Sequence, residues 1–270
     1  MNKDLYLLRE IGNGIYLIDD NKNATAYLVI GEKKALLIDT GVGFGDLKSV
    51  VNGLTSLPIT VVNTHGHSDH VWGNFQFEEA YISNADIHLY EDSYSKEERT
   101  NIIEMFRNTI PPEITQKELN EWVELKPCKT LPIKQGDLID LGGKVLKVIE
   151  VPGHTKGSIA LIDEGAEILF SGDSIISRLW MHLEESTDLT TYLNGIKAIR
   201  NYSSNFKNIY CGHTKYDEEP FGISFIEDII MDVTEIVEGK KVGTYLRDQS
   251  GECLVCEFKN WSIWYNPKRI

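Results

Sequence analysis

Cysteine is scarce. The 270 residues hold four, Cys128, Cys211, Cys253 and Cys256, which excludes a disulfide-framed small secreted domain. Long apolar runs are absent too, and no stretch approaches the ~20 residues of a membrane span. The stretch Met1 to Arg9 holds only four consecutive apolar residues, too few for a signal-peptide core. Positive charge is short: 27 Lys and Arg face 41 Asp and Glu, a net charge of −14. That balance argues against nucleic acid as a general partner and against anionic membrane surfaces. No linker or low-complexity segment interrupts the chain. The expectation is a soluble cytoplasmic protein with one domain over residues 1–270, acting on a small molecule. The glycines of Asp39 to Gly45 match neither G-x-G-x-x-G nor the Walker A pattern, so nucleotide phosphate binding is not read there.

What the chain does have is histidine in one place. His65, His67 and His70, with Asp69, occupy six consecutive positions in a His-x-His-x-Asp-His run. The run follows the β-branched stretch Ile59 to Thr64, which reads as a buried strand. Residues two apart on an extended chain point the same way, so His65 and His67 can face one point. Asp69 and His70 lie where the chain begins to turn into a helix and can aim at a second point. Imidazole nitrogen and carboxylate oxygen are the ligands of catalytic zinc. Three later candidates, His154, Asp173 and His213, each follow an apolar strand.

Asp39-Thr-Gly41, the His65–His70 run with Gly73, Pro152-Gly-His-Thr155, Gly172-Asp173 and Gly212-His213 together resemble the metallo-β-lactamase superfamily, in its order. The resemblance implies an α/β fold, a four-layer αββα sandwich of two mixed β-sheets flanked by helices. It implies two divalent metal ions, zinc first, with iron or manganese as alternatives. One ion falls to His65, His67 and His154, the other to Asp69, His70 and His213, with Asp173 bridging. Asp69 and Asp173 are then also the catalytic carboxylates, and Asp39 buttresses the metal loop through hydrogen bonds. A hydroxide bridging the metals would attack a small ester, thioester, lactone or phosphodiester, because metal binding brings a water's pKa to about 7. Two rivals are an iron oxygenase resembling the persulfide dioxygenases and a metal-binding sensor of low turnover.

Several further readings complete the expectation. Residues 91–124 are charged and helix-forming, with Ile102, Ile103 and Phe106 at helical spacing and Pro111-Pro112 as a breaker. They read as a helical insertion beside the site. Helices are also expected over Asp46–Leu54, Thr190–Tyr202 and Phe221–Glu238, and β-structure over Leu254–Phe258 and Trp261–Tyr265. Trp180, Met181 and His182 read as one apolar wall with a polar tip, and Tyr192 and Tyr216 as further pocket candidates. His88 reads as a surface or packing histidine, and Cys211, Cys253 and Cys256 as buried strand thiols.

Overall fold

Strands four to seven residues long make the first sheet, and turns rich in Asn, Asp and Gly separate the first of them. The computed structural model describes residues 5–21, 23–105, 107, 110, 112–248 and 251–270. The Met1–Asp4 part of the leader reading, Phe106 and Pro111 lie outside them. The chain divides into two compact units. Unit one is Met1–Pro132 with Leu141–Gly143 and Lys215–Asp217; unit two is Ile133–Asp140, Lys144–Thr214 and Glu218–Ile270.

Unit one is built on a sheet whose strands lie in sequence order: β1 (Tyr6–Gly12), β2 (Ile15–Asp20), β3 (Thr25–Ile30), β4 (Ala35–Ile38), β5 (Ile59–Val62), β6 (Glu79–Ser83) and β7 (Lys129–Ile133). Tight turns make β1 to β4 antiparallel, whereas β4, β5 and β6 run parallel. Parallel neighbours need a crossover, and α1 (Leu47–Leu54) supplies the one between β4 and β5. Its start is fixed by Asp46, whose carboxylate accepts from Ser49 N at 3.0 Å, an N-cap. Leu47, Val50 and Val51 of α1 share a core with Leu28, Leu37 and Val61 of the sheet. A short helix α2 (Ser68–Val71) runs into a 3₁₀ turn over Trp72–Gln76. Three more helices follow, α3 (Ile87–Ser93), α4 (Lys96–Met105) and α5 (Gln116–Val123). A reciprocal Thr115–Glu118 capping box opens α5.

Unit two carries two sheets. One contains β8 (Leu138–Asp140), β9 (Val145–Glu150), β10 (Ile159–Asp163), β11 (Ile168–Gly172), β13 (Asn208–Cys211) and β14 (Phe221–Gly222), in the order β14-β13-β11-β10-β9-β8. Every residue of β10 and β11 is buried, which is why both read as unbroken apolar runs. The second sheet has the order β12-β17-β16-β15, from β12 (Arg178–Met181), β15 (Thr244–Asp248), β16 (Gly251–Glu257) and β17 (Ser262–Tyr265). Helices α6 (Leu189–Arg200) and α7 (Ser224–Val237) share one core with β9–β13 and β17 through Tyr192, Ile196, Phe225, Ile229 and Val233. Asp188 caps α6 by accepting from Thr191 N at 2.7 Å.

Mixed sheets with flanking helices match the expected class. The third sheet was not anticipated, because β12 is short and its partner β17 lies far away in sequence. No helix among the described residues is long and apolar enough to cross a membrane.

Candidate metal centre

The His65–His70 run leaves the end of β5 and is pinned from β4. Asp39 follows β4 with φ +59°, a left-handed conformation that a non-glycine residue adopts at a cost. That turn brings its buried carboxylate back over the loop. Oδ1 accepts from Thr64 N at 2.7 Å, and Oδ2 accepts from Thr64 Oγ1 at 2.8 Å and faces His70 Nδ1 at 3.0 Å. A carboxylate only accepts, so His70 donates from Nδ1 and turns its Nε2 lone pair outward. Thr64 Oγ1 has already given its proton to Asp39, so its 3.0 Å contact with His65 Nδ1 takes the imidazole's proton. His65 therefore also presents Nε2. Asp39 thus ties Thr64 and His70 to the end of β4.

The loop's backbone is held by residues that the sequence reading missed. The His70 carbonyl accepts from Thr40 N at 2.9 Å and Asn63 Nδ2 at 3.2 Å, with Thr40 Oγ1 3.1 Å away. Asn74 Nδ2 donates to Asn63 Oδ1 at 2.8 Å and Thr40 Oγ1 to Asn74 Oδ1 at 2.8 Å. All of these groups are buried, where an unmatched polar group would be costly. Gly73 is required because a Cβ there would lie 2.2 Å from Thr40 O. Asp20 accepts from Val42 N at 2.8 Å, and burial pushes its carboxyl up to about 7. Asp86 takes Gly66 N at 2.9 Å. Buried Asp and Asn are individually unremarkable in a sequence, so no local signal marks them.

In unit two, β11 and β13 run parallel with Gly172 opposite Cys211. Asp173 and His213 thus leave neighbouring strands at the same end. Asp173 Oδ2 lies 3.2 Å from His213 Nε2 and 3.7 Å from His154 Nε2. His154 sits on the loop between β9 and β10. Its Nδ1 lies 2.7 Å from Trp180 O, a carbonyl that can only accept, so Nδ1 donates and Nε2 again carries the lone pair. Ser186 Oγ donates to His154 O at 2.8 Å and Thr187 N to Gly153 O at 2.9 Å. The loop after β12 therefore holds the loop of His154. Arg269 braces it in turn, with guanidinium contacts to the carbonyls of His182 at 2.9 Å, Leu183 at 2.5 Å, Glu184 at 3.1 Å and Ser186 at 2.6 Å.

The donor spacings suit a metal ion. Ligand atoms on tetrahedral zinc, with bonds of about 2.0–2.1 Å, lie about 3.4 Å apart. His65 Nε2 and His67 Nδ1 are 3.1 Å apart and His70 Nε2 and Asp69 Oδ2 3.6 Å, and the unit-two spacings bracket the same value. These His/Asp clusters could hold divalent cations.

The remaining candidates divide. Trp180 is half-buried and His182 buried, with ring centroids 5.6 Å apart. Met181 does not join them: it is 1% exposed and packs in the core, because alternate residues of a strand face opposite ways. Tyr192 is not a pocket residue either. It is wholly buried, donates to Ser174 O at 2.9 Å and packs under Gly153. Tyr216 belongs to unit one, is exposed, and its N–H donates to Asp19 Oδ2 at 2.9 Å. His88 is exposed. Cys211 is buried, and desolvation pushes its thiol up to about 11, so it is inert at neutral pH.

The family model described as the metallo-beta-lactamase superfamily matches residues 20–213. The chain belongs to the metallo-β-lactamase superfamily. Among relatives, acyl-coenzyme A thioesterase MBLAC2 of Homo sapiens is 30% identical over 189 residues, covering 63% of this chain and 66% of that protein. The hydroxyacylglutathione hydrolase of Crocosphaera subtropica is 30% identical over 209 residues, 74% of this chain and 64% of that one. The chain thus spans just under two thirds of the length of these relatives. A metallo-β-lactamase family protein of Thermus thermophilus superposes with a TM-score of 0.61 at 22% identity, covering 84% of this chain and 81% of that one. The DIM-1 metallo-β-lactamase gives 0.58 at 14% identity, 86% and 98%. These likenesses establish the metallo-β-lactamase fold.

Proposed function

We propose that this chain is a metal-dependent hydrolase that cleaves a thioester or related small ester. In this reading a single metallo-β-lactamase-fold domain over residues 1–270 joins the two ligand sets into one dinuclear centre. His65, His67 and His154 would hold one ion and Asp69, His70 and His213 the other, with Asp173 shared between them. Zinc is the preferred metal, since His67 stands where a glutamate would suit iron. The observation that carries the proposal is the fixed tautomer of His65, His70 and His154. Each gives its Nδ1 proton to an oxygen, which leaves Nε2 for a metal.

The ions would supply Lewis acidity toward the substrate carbonyl oxygen. The chain's own part is to hold them and to move protons. Asp69, 35% exposed, has access to solvent, and it would carry a proton from water toward the departing thiolate sulfur. Asp173 is only 12% exposed, which suits holding rather than proton exchange. Thioesters are favoured over phosphodiesters because one relative is named an acyl-coenzyme A thioesterase and another a hydroxyacylglutathione hydrolase.

The test is metal content and turnover together. Protein stripped and reloaded should hold close to two ions, hydrolyse an acyl-coenzyme A or hydroxyacylglutathione, and lose that activity to a chelator. One ion at saturation, with His213→Ala changing nothing, would refute the dinuclear centre. Oxygen consumption without hydrolysis would move the chain to the oxygenases. Metal uptake with no turnover on a broad ester panel would leave a sensor.

A further inference from the structure

β12 and β17 pair in parallel with Trp180 opposite Trp264. Leu179, Met181, Ile263 and Tyr265 fill the core on one face. Trp180 and Trp264 are left on the other face, half-buried, with centroids 5.7 Å apart and planes 24° from parallel. His182 closes the edge, 5.9 Å from Trp264. The exposed Arg178 guanidinium lies 5.8 Å from the Trp264 ring centroid. Two observations set this face apart from ordinary packing. The Trp264 Nε1–H is buried with no acceptor among the described residues, whereas a side chain placed for stability alone finds one. The carbonyl of Trp180 also accepts the Nδ1 proton of His154, so the aromatic face starts from the residue that fixes a metal ligand.

We propose that Trp180 and Trp264, with Arg178 beside them and His182 at the edge, form a stacking site for the purine nucleotide of a leaving thiol. The proposal rests on the thioesterase reading above and narrows it. A thiol built on a nucleotide offers a flat heterocycle and phosphates; one built on a tripeptide offers neither. Indole faces take a flat base with little regard to its edge, and a guanidinium takes phosphate oxygens through paired N–H donors. On a chain of net charge −14, an exposed arginine against an indole is a local exception that phosphate would recognise. The nucleotide would bind at this face whether or not the thioester bond is cut, so binding and turnover can be read apart.

The experiment uses metal-loaded protein. Adenosine 3′,5′-bisphosphate is titrated by calorimetry and by tryptophan fluorescence. In parallel, kcat/KM is measured for acetyl-coenzyme A and for acetyl-N-acetylcysteamine, the same thioester without a nucleotide. Stacking of one base and one phosphate contact are each worth roughly tenfold. The bisphosphate should bind and quench fluorescence. Trp264→Ala and Arg178→Ala should each weaken it about tenfold and lower the kcat/KM ratio of the two thioesters by a similar factor, mainly through KM. Trp264→Phe keeps a ring face and should recover most of the loss, which separates stacking from a folding defect. No bisphosphate binding by the unaltered protein, or equal kcat/KM for both thioesters, would overturn the site and leave the hydrolase reading intact. Bisphosphate binding with neither thioester cleaved would leave the stacking site standing and count against the thioesterase reading.

Discussion

The two ligand sets are held by different means. In unit one, four candidate ligands lie within six positions, and side chains hold two of them: Asp39 grips His70 and Thr64, and Thr64 grips His65. In unit two, three candidate ligands come from three loops, and a backbone carbonyl orients the ring of His154. Trp180 O fixes the His154 ring, while Arg269 braces the loop that holds His154 O. A side-chain brace can be deleted by one substitution. A carbonyl brace cannot, and fails only when its loop moves. Single substitutions around the first set should therefore act sharply, and those around the second more mildly, unless they strike a ligand.

The largest effect is expected at such a ligand. Asp173 is the sole carboxylate of the second set, with one oxygen near both of its histidines. Asp173→Asn keeps the shape, removes the charge and offers an N–H₂ where an acceptor is needed. Metal content should fall from two ions toward one and turnover by about 100-fold or more. Elemental analysis with kcat checks it; two retained ions and near-normal turnover would remove Asp173 from the bridging position.

Asp39→Asn comes next and probes the side-chain brace. If the amide oxygen keeps Thr64 N, the N–H₂ meets Thr64 Oγ1–H and His70 Nδ1–H, donor against donor. His70 then loses its orientation, and metal affinity should drop about 10- to 100-fold, read by competition with a chelating dye. An unchanged affinity would mean the ligand set orients itself without its partner.

The same contrast decides what was legible in the sequence. The first ligand set could be read from its spacing alone, since His65 and His67 share a strand face and Asp69 and His70 follow at the turn. His154, Asp173 and His213 are single residues after apolar strands, and only the order of several motifs singled them out. The bracing groups Asp20, Thr40, Asn63, Asn74 and Arg269 were not legible. Their roles depend on contacts as remote as the 87 positions between His182 and Arg269, and nothing local announces those. Met181 was misplaced because residues 178–181 were not recognised as a strand, so its alternation was not applied. Tyr192 was misplaced because proximity to a motif in sequence was taken for proximity to a pocket.

Arg269→Met tests the carbonyl brace. The substitution removes four contacts to the loop after β12 but leaves Trp180 O and Ser186 Oγ with their partners on His154. The loop should loosen rather than detach, and metal affinity should fall by less than about tenfold. Stability should drop by about 1–3 kcal/mol, the scale of buried carbonyls left without donors, seen as a lower denaturation midpoint. A loss of affinity as large as that of Asp39→Asn would erase the contrast between the two kinds of brace.

The smallest effect is expected from Arg99→Met, although Arg99 looks the most conspicuous. It lies on α4, is fully buried, and stacks between Tyr94 and Trp122 at 4.3 and 4.4 Å from their ring centroids, with Trp72 at 5.5 Å. Its Nη1 donates to Trp122 O, and no carboxylate pairs with it among the described residues. Burial lowers its pKa to about 10, so it stays charged at neutral pH. Desolvating that charge costs several kcal/mol; contacts with three aromatic faces return about 0.5–2 kcal/mol each, and the carbonyl hydrogen bond about 1.5–3. The two sides nearly cancel. Arg99→Met fills much of the volume without the charge, so unfolding free energy should change by less than about 1 kcal/mol. Arg99→Ala leaves a cavity among Trp72, Tyr94 and Trp122 and should cost about 2–4 kcal/mol. Trp72 stands two residues after His70, yet His70 is held from the far side by Asp39, Thr40 and Asn63. Metal affinity should therefore be unchanged in Arg99→Met. If it fell with stability intact, the helices over residues 87–123 would be acting on the metal loop through Trp72, and the polar network beneath His70 would not be its principal support.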